Sequence, residues 1–197
     1  SGEGGVQRVT ENGIVAGDQA YDVDCIIYAT GFEMSTAHRR RIGTEIYGRN
    51  GLDLFDYWKD GMRTLHGHSV HNFPNWFFVG LSQVGPSFNF CAIVDEMAQH
   101  VAYIVDETRK RGDDAVAEAS AEGEAAWVEE IVANRRSNDD FLESCTPGYY
   151  NNEGAFRRTS ATYQGDFYAP GSNVFNKLLA DWRAAGRLDG MTISGKS

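Results

Sequence analysis

The chain has 197 residues, 42% of them hydrophobic, enough for one sizeable core, and its 28 acidic against 18 basic residues give a net charge of −10. No basic stripe exceeds Arg39-Arg40-Arg41 or Arg109-Lys110-Arg111, which argues against a nucleic-acid partner, and no apolar run approaches the roughly 20 residues of a membrane span. Cys25, Cys91 and Cys145 are widely spaced with no CxxC pair, so neither a disulfide framework nor a zinc ribbon is indicated; a cytoplasmic protein with reduced thiols is expected.

The chain does not open with Met and its first signals are strand-like, as expected for a piece of a longer protein. Glu11-Asn12-Gly13 between the apolar pieces 6–10 and 13–16 predicts a β-hairpin, because Asn-Gly between strand-like runs is the strongest short hairpin signal. Residues 21–32, YDVDCIIYATGF, predict a buried strand whose small Ala29-Thr30-Gly31 end admits a close approach to the backbone. Residues 33–72 are less regular, with a basic segment at 38–41, turn signals at Gly48, Asn50 and Gly51, and a helical turn or two within 52–61. His66, His68 and His71 raise a metal site, since alternate strand residues share a face, but no Asp, Glu or Cys at suggestive spacing completes it. No metal is therefore expected, and these histidines are read as facing solvent.

Residues 72–112 organise the rest. Trp76 to Val79 is an unbroken apolar run entered through Phe73-Pro74-Asn75 and left at Gly80, the pattern of a strand buried on both faces as in parallel α/β sheets. Phe90, Ile93, Val94, Met97, Val101, Ile104 and Val105 then form one helical stripe, with Ser87 or Asn89 to cap its start and Gly112 just past its end. Between strand and helix, Leu81 to Phe88 set small and polar residues ahead of unpaired helix N–H groups, an arrangement suited to an anionic or electron-rich ligand atom.

Residues 113–136 are rich in Ala and Glu, with a break at Gly123 and a stripe of Trp127, Val128, Ile131 and Val132; a short helix follows to about Ser144. Residues 145–154 form a loop headed by Pro147-Gly148 with Tyr149 and Tyr150 in its middle, and residues 155–171 are polar and Gly-containing. Ser172 is expected to cap a last helix carrying Phe175, Leu178, Leu179 and Trp182 on one face and closing at Gly186, and 188–193 can add a short strand. No Gly-x-Gly-x-x-Gly, Walker loop, Gly-x-Ser-x-Gly or His-Glu-x-x-His occurs, so phosphate-binding and nucleophile machinery lie elsewhere and no catalytic residue is assigned in this portion.

Five stretches carry a resemblance: Asp-Cys-Ile-Ile-Tyr-Ala-Thr-Gly-Phe at 24–32, Phe-Pro-Asn-Trp-Phe-Phe-Val-Gly at 73–80, Asn89, Thr-Pro-Gly-Tyr-Tyr-Asn-Asn-Glu-Gly at 146–154, and Trp182-Arg183. Together they resemble the C-terminal portion of a flavin-dependent Baeyer–Villiger monooxygenase, a class B flavoprotein monooxygenase of the bulky-ketone and steroid type. The resemblance implies an α/β fold that is part of a two-dinucleotide-binding-domain flavoprotein, the C-terminal half of the FAD domain plus the end of the NADP domain. Residues 1–32 would end the NADP domain at the Ala-Thr-Gly junction, 33–144 would be the C-terminal part of the FAD domain, and 145–197 the mobile active-site loop with a C-terminal helix and strand.

The activity implied is an FAD- and NADPH-dependent insertion of one O2-derived oxygen into a ketone, through a flavin C4a-peroxide, to give an ester or lactone. Thr30, Gly31, Ser82, Gln83, Val84, Gly85, Ser87 and Asn89 would be cofactor-binding, and Phe88, Phe90, Tyr149, Tyr150 and Asn151 would meet the substrate. Phe90 is open between core and pocket, and the Trp that the family often carries in the 145–154 loop is missing here. The partners implied are the ketone, O2 and the N-terminal half of the same enzyme, without which the chain is expected to be sticky and inactive. An N- or S-oxidising flavin-containing monooxygenase shares the domain plan, and a non-catalytic FAD-domain piece is a further alternative.

Overall fold

The computed structural model describes residues 5–29, 38–136, 138–148, 150, 151, 154 and 163–195. They belong to two compact units, residues 1–41 with 139–156 and residues 42–138 with 157–197.

In the first unit, β1 (Val6–Thr10), β2 (Gly13–Ala16) and β3 (Gln19–Asp22) form an antiparallel meander in the order β1-β2-β3. The predicted hairpin is present, with Thr10 opposite Gly13, but its two-residue loop is Glu11-Asn12, Gly13 already belongs to β2, and neither Asn12 nor Gly13 has a positive φ. Gly13 is obligatory there, since a Cβ would lie 1.9 Å from Tyr21 O. Over residues 23–29 the strand expected at 21–32 is not formed: β3 ends at Asp22, and Ile27 and Tyr28 are 84% and 76% exposed. Apolar content favours a strand only where a neighbouring strand accepts its hydrogen bonds, and among the described residues none does. Thr30 and Gly31 lie outside the described residues. Short helix α3 (Asp139–Ser144), the predicted one, belongs to this unit, as do residues 38–41 of α1 (His38–Ile42).

The second unit is built around α4 (Phe90–Arg109), packed with α5 (Ala121–Ala133), α6 (Ser172–Ala185) and a two-stranded antiparallel sheet of β4 (Val116–Ala119) and β5 (Met191–Ser194), and it also contains α2 (Leu54–Tyr57). The stripe on α4 is real but narrower than its apolar residues suggest: Ile93, Met97, His100, Ile104 and Thr108 are buried, whereas Phe90 is 54% exposed. Ile93 and Met97 pack with Trp127 and Ile131 of α5, Phe175 and Leu179 of α6, and Val84 of the preceding loop. A second cluster joins Leu54, Trp58, Met62, Val70 and Phe73.

Four expectations are corrected in this unit. Residues 76–79 form no strand; Phe77 makes a single bridge to Ser69, and Val79 is 42% exposed, because no ladder flanks the run. Gly123 is not a break but the third residue of α5, where a Cβ would lie 2.5 Å from Gly190 Cα, so the helix needs glycine to pass the Gly190 turn. Its core face is Glu124, Trp127 and Ile131, with Val132 at 43% exposure, and β4 ahead of it has no alternating pattern in its Val-Ala-Glu-Ala sequence to announce it. Finally, Gly171 and not Ser172 occupies the N-cap of α6, with no side-chain cap, while Gly186 closes the helix at φ +67° as predicted.

The loop before the central helix as a candidate cofactor site

The loop from Leu81 to Asn89 divides into a buried base and an exposed tip. Gln83 is fully buried in the left-handed region at φ +61°; its Nε2 donates to Met62 O (3.0 Å) and Gln164 O (2.6 Å), and its Oε1 accepts from the Thr64 hydroxyl. Its main chain is held as well, N–H to Asp166 O at 2.9 Å and C=O to Trp127 Nε1 at 3.3 Å. Val84 is buried in the main cluster and its C=O accepts from Tyr168 N at 2.9 Å. Gly85 lies so close to the start of α6 that a Cβ would be 2.6 Å from Phe175 Cβ and 2.8 Å from Ser172 Cα. The side chains of Gln83 and Val84 therefore point into the unit's own core, and any hold they exert on a cofactor is through main chain.

The tip is the opposite. Phe88 is fully exposed, Asn89 and Phe90 are exposed, and Ser82 and Ser87 are half-buried. Asn89 is the N-cap, its Oδ1 accepting from Ala92 N at 3.2 Å, and Ser87 Oγ accepts from Asn89 N at 3.1 Å. That leaves the N–H groups of Phe90 and Cys91 without a protein acceptor among the described residues, at the positive end of a 20-residue helix. Replacing the cap, Asn89→Ala, is expected to cost about 1 kcal/mol of stability and to fray the first turn of α4, read as faster amide exchange at Ala92 and Ile93.

In the other unit, Asn151 organises the 145–154 loop instead of presenting its side chain. It is 3% exposed; Nδ2 lies 3.1–3.3 Å from the carbonyls of Leu142, Cys145 and Thr146, and Oδ1 accepts from Gly148 N (2.8 Å) and Gly154 N (3.2 Å). Tyr150 is 70% exposed, and Tyr149 lies outside the described residues. Asn151→Ala is expected to release the loop, with about 2 kcal/mol of local stability lost from buried groups left unpaired; limited proteolysis between 142 and 154 would report it.

Sequence reasoning missed a cluster behind the loop. His66 and His68 are buried, 6% and fully, and meet His100 of α4, not His71. The solvent-facing reading is thus overturned: the His-Gly-His turn faces inward because Gly67, at φ +76°, packs under Ser82 and Val84, where a Cβ would lie 2.5 Å from Val84 Cγ1. The signal was a polar residue, His100, on the core line of an otherwise apolar stripe. A separate cavity of about 230 Å³, lined by Ile46, Tyr47, Arg49, Phe73, Pro74 and Trp76, involves no residue of the loop.

Along nearly its whole length the chain corresponds to one part of the Baeyer–Villiger monooxygenases, ketone-oxidising flavoproteins by the names of its relatives and structural neighbours. It is 43% identical over 191 residues to pentalenolactone D synthase of Streptomyces exfoliatus, covering 96% of this chain and 32% of that protein. It is 37% identical over 190 residues to a Baeyer–Villiger monooxygenase of Stachybotrys chlorohalonatus, covering 96% of this chain and 30% of that one. The polycyclic ketone monooxygenase of Thermothelomyces thermophila superposes with a TM-score of 0.85 at 32% identity, over 98% of this chain and 31% of its own. The chain thus spans about a third of the length of the curated relatives it matches, and its fold is the corresponding partial α/β arrangement. No protein-family model matches it. No helix among the described residues is long and apolar enough to cross a membrane.

Proposed function

We propose that this chain supplies the loop-and-helix face against which FAD is held in an NADPH-dependent monooxygenase that inserts one oxygen of O2 into a ketone, giving an ester or lactone. The observation that carries this is the exposed start of α4, with two N–H groups left without acceptors among the described residues, next to a loop whose base is locked by Gln83, Val84 and Gly85. Its donor set fits the electron-rich edge of an isoalloxazine, because fixed N–H donors at a helix N-terminus stabilise negative charge without having to reorganise. One relative is named an FAD-binding monooxygenase and one structural neighbour was solved with NADP, which supports the same cofactors here.

Bound FAD, reduced by NADPH, would supply the electrons that activate O2. The chain's own part is positional. Phe90 and Cys91 N–H would donate to the cofactor, and the exposed rings of Phe88 and Phe90 would close over apolar substrate and exclude water. Tyr150, on a loop shaped by Asn151, is the substrate-facing candidate of its own unit, with Tyr149 beside it in sequence. Thr30 and Gly31 would mark the junction between an NADP domain ending near residue 32 and the returning FAD domain. The N-terminal part of the enzyme would bring both glycine-rich loops and the groups that act on oxygen.

The test is the full-length protein, loaded with FAD, incubated with NADPH, ¹⁸O2 and a panel of cyclic and steroidal ketones. One ¹⁸O atom in a lactone or ester is the expected product. Oxygenation of amines or sulfides with every ketone untouched would replace this reading by that of an N- or S-oxidising enzyme.

A further inference from the structure

The buried histidine cluster has no place in the proposed reaction. His66 and His68 sit on the 64–69 turn and His100 on α4, and each offers a ring nitrogen within 4.8 Å of one on each of the others. Three of their nitrogens, His66 Nδ1, His68 Nε2 and His100 Nε2, are buried with no hydrogen-bond partner among the described residues. Such groups cost about 1–3 kcal/mol each when left unmade, so three in one place call for a guest. The surroundings are apolar: His66 stands edge-on to Trp127 at 4.9 Å between ring centres, and His100 lies 4.8 Å from Trp182.

We propose that His66, His68 and His100 bind one divalent transition ion of the zinc class, with a water as fourth ligand, as a structural clasp between the His-Gly-His turn and α4. Three neutral imidazoles and an open position are a recognised zinc donor set, and nitrogen-only ligation disfavours calcium and magnesium. Ligation at about 2.0–2.1 Å places nitrogens about 3.3 Å apart in a tetrahedron, so the rings must rotate inward from their present spacing. Burial keeps the rings neutral, the form that ligates: it lowers the pKa of His66 to about 4 and, with the His66 ring and Arg183 nearby, that of His100 to about 3, and it holds His68 well below the usual histidine range.

The remaining contacts decide the tautomers. His68 Nδ1 is 2.7 Å from Ser69 Oγ, which can accept its proton and so leave the Nε2 lone pair free. Arg183 opposes: its Nη1 lies 3.4 Å from His100 Nδ1, which favours a proton on Nε2, while its Nη2 is paired with Glu96 Oε1 at 2.7 Å. Ion binding at His100 Nε2 puts the proton on Nδ1 and moves Nη1 away, leaving the Glu96 pair in place. The ion would join the turn under Ser82 and Val84 to the helix that starts at the loop tip.

The experiment uses the full-length protein stripped by a chelator and titrated with Zn²⁺, then with Co²⁺, by equilibrium dialysis. Expected are one ion per chain, an intense tetrahedral Co²⁺ visible spectrum, and three nitrogen neighbours at about 2.0–2.1 Å in zinc-edge X-ray absorption. His68→Gln and His100→Gln should weaken binding at least about 100-fold, since outer-shell changes alone cost about 10–100-fold. His71→Gln, outside the cluster, should leave it unchanged, and Arg183→Gln should tighten it. The spectra on the unaltered protein keep the test decisive if a histidine variant fails to fold. Absence of stoichiometric binding, an octahedral Co²⁺ spectrum, or binding lost with His71 overturns the proposal; a buried water would then serve the three nitrogens. Each readout is independent of oxygenation.

Discussion

Glu124→Ala is expected to lower the stability of the second unit by about 2 kcal/mol, because it strands two half-buried donors, the Tyr57 hydroxyl and His71 N–H, at about 1 kcal/mol or more each. The carboxylate is fully buried in the first turn of α5, where Oε2 accepts from Tyr57 OH at 2.6 Å and Oε1 from His71 N at 3.0 Å. Arg63 Nε lies 3.3 Å from Oε2, close enough for an ion pair though not aligned as a hydrogen bond. Burial, followed by the bond to Glu124, holds the Tyr57 phenol above its ordinary pKa, so it stays a donor at any working pH. A single side chain thus joins α5 to α2 and to the turns at 63 and 71. Urea denaturation should show a lower midpoint at unchanged slope, and Glu124→Gln, which keeps one acceptor, should lose only about 1 kcal/mol. A stability loss below about 0.5 kcal/mol for the alanine variant would mean that water replaces the carboxylate, contrary to its burial.

Gln83→Ala carries the second large effect and bears on function. The amide ties together Met62, Thr64 and Gln164, three separate stretches of chain. Its removal leaves their buried groups unmatched, for about 3 kcal/mol. The left-handed backbone at Gln83 is sustained by those bonds and by Asp166 O and Trp127 Nε1. The loop base should therefore relax, displacing the tip that presents Phe88 to Cys91. If about 1.4 kcal/mol of the loss reaches the cofactor, FAD retention falls about tenfold, measurable as flavin released on gel filtration of the full-length enzyme. Destabilisation with unchanged FAD affinity would separate the loop base from the flavin and count against the proposed site.

The candidate loop was legible because its signals are local. Small residues ahead of a 3.6-residue stripe, with Asn89 at the boundary, place a helix N-terminus wherever the rest of the fold lies. What was not legible is which loop residues face outward. Gln83 and Asn89 are both polar amides in one loop, yet the first is buried in a web of carbonyls and the second is exposed, because the stretches that receive Gln83 are 19 to 81 residues away. His66 and His68 read as surface residues for the same reason: their burial is supplied by His100, Trp127 and Trp182, from three different helices.

By itself the sequence determined the Asn-Gly hairpin, the long capped helix and its stripe, the closing glycine of the last helix, and the lack of any glycine-rich nucleotide loop in this stretch. Each rests on backbone preferences or on periodicity over a few turns, which operate within a dozen residues. The tertiary structure decided that the apolar runs at 25–29 and 76–79 remain outside any ladder, that Glu124 and Gln83 are structural ties, and that three histidines meet in the core. Strand formation and the burial of polar groups both depend on partners remote in the chain, and a side chain's neighbours are fixed only once those partners are in place.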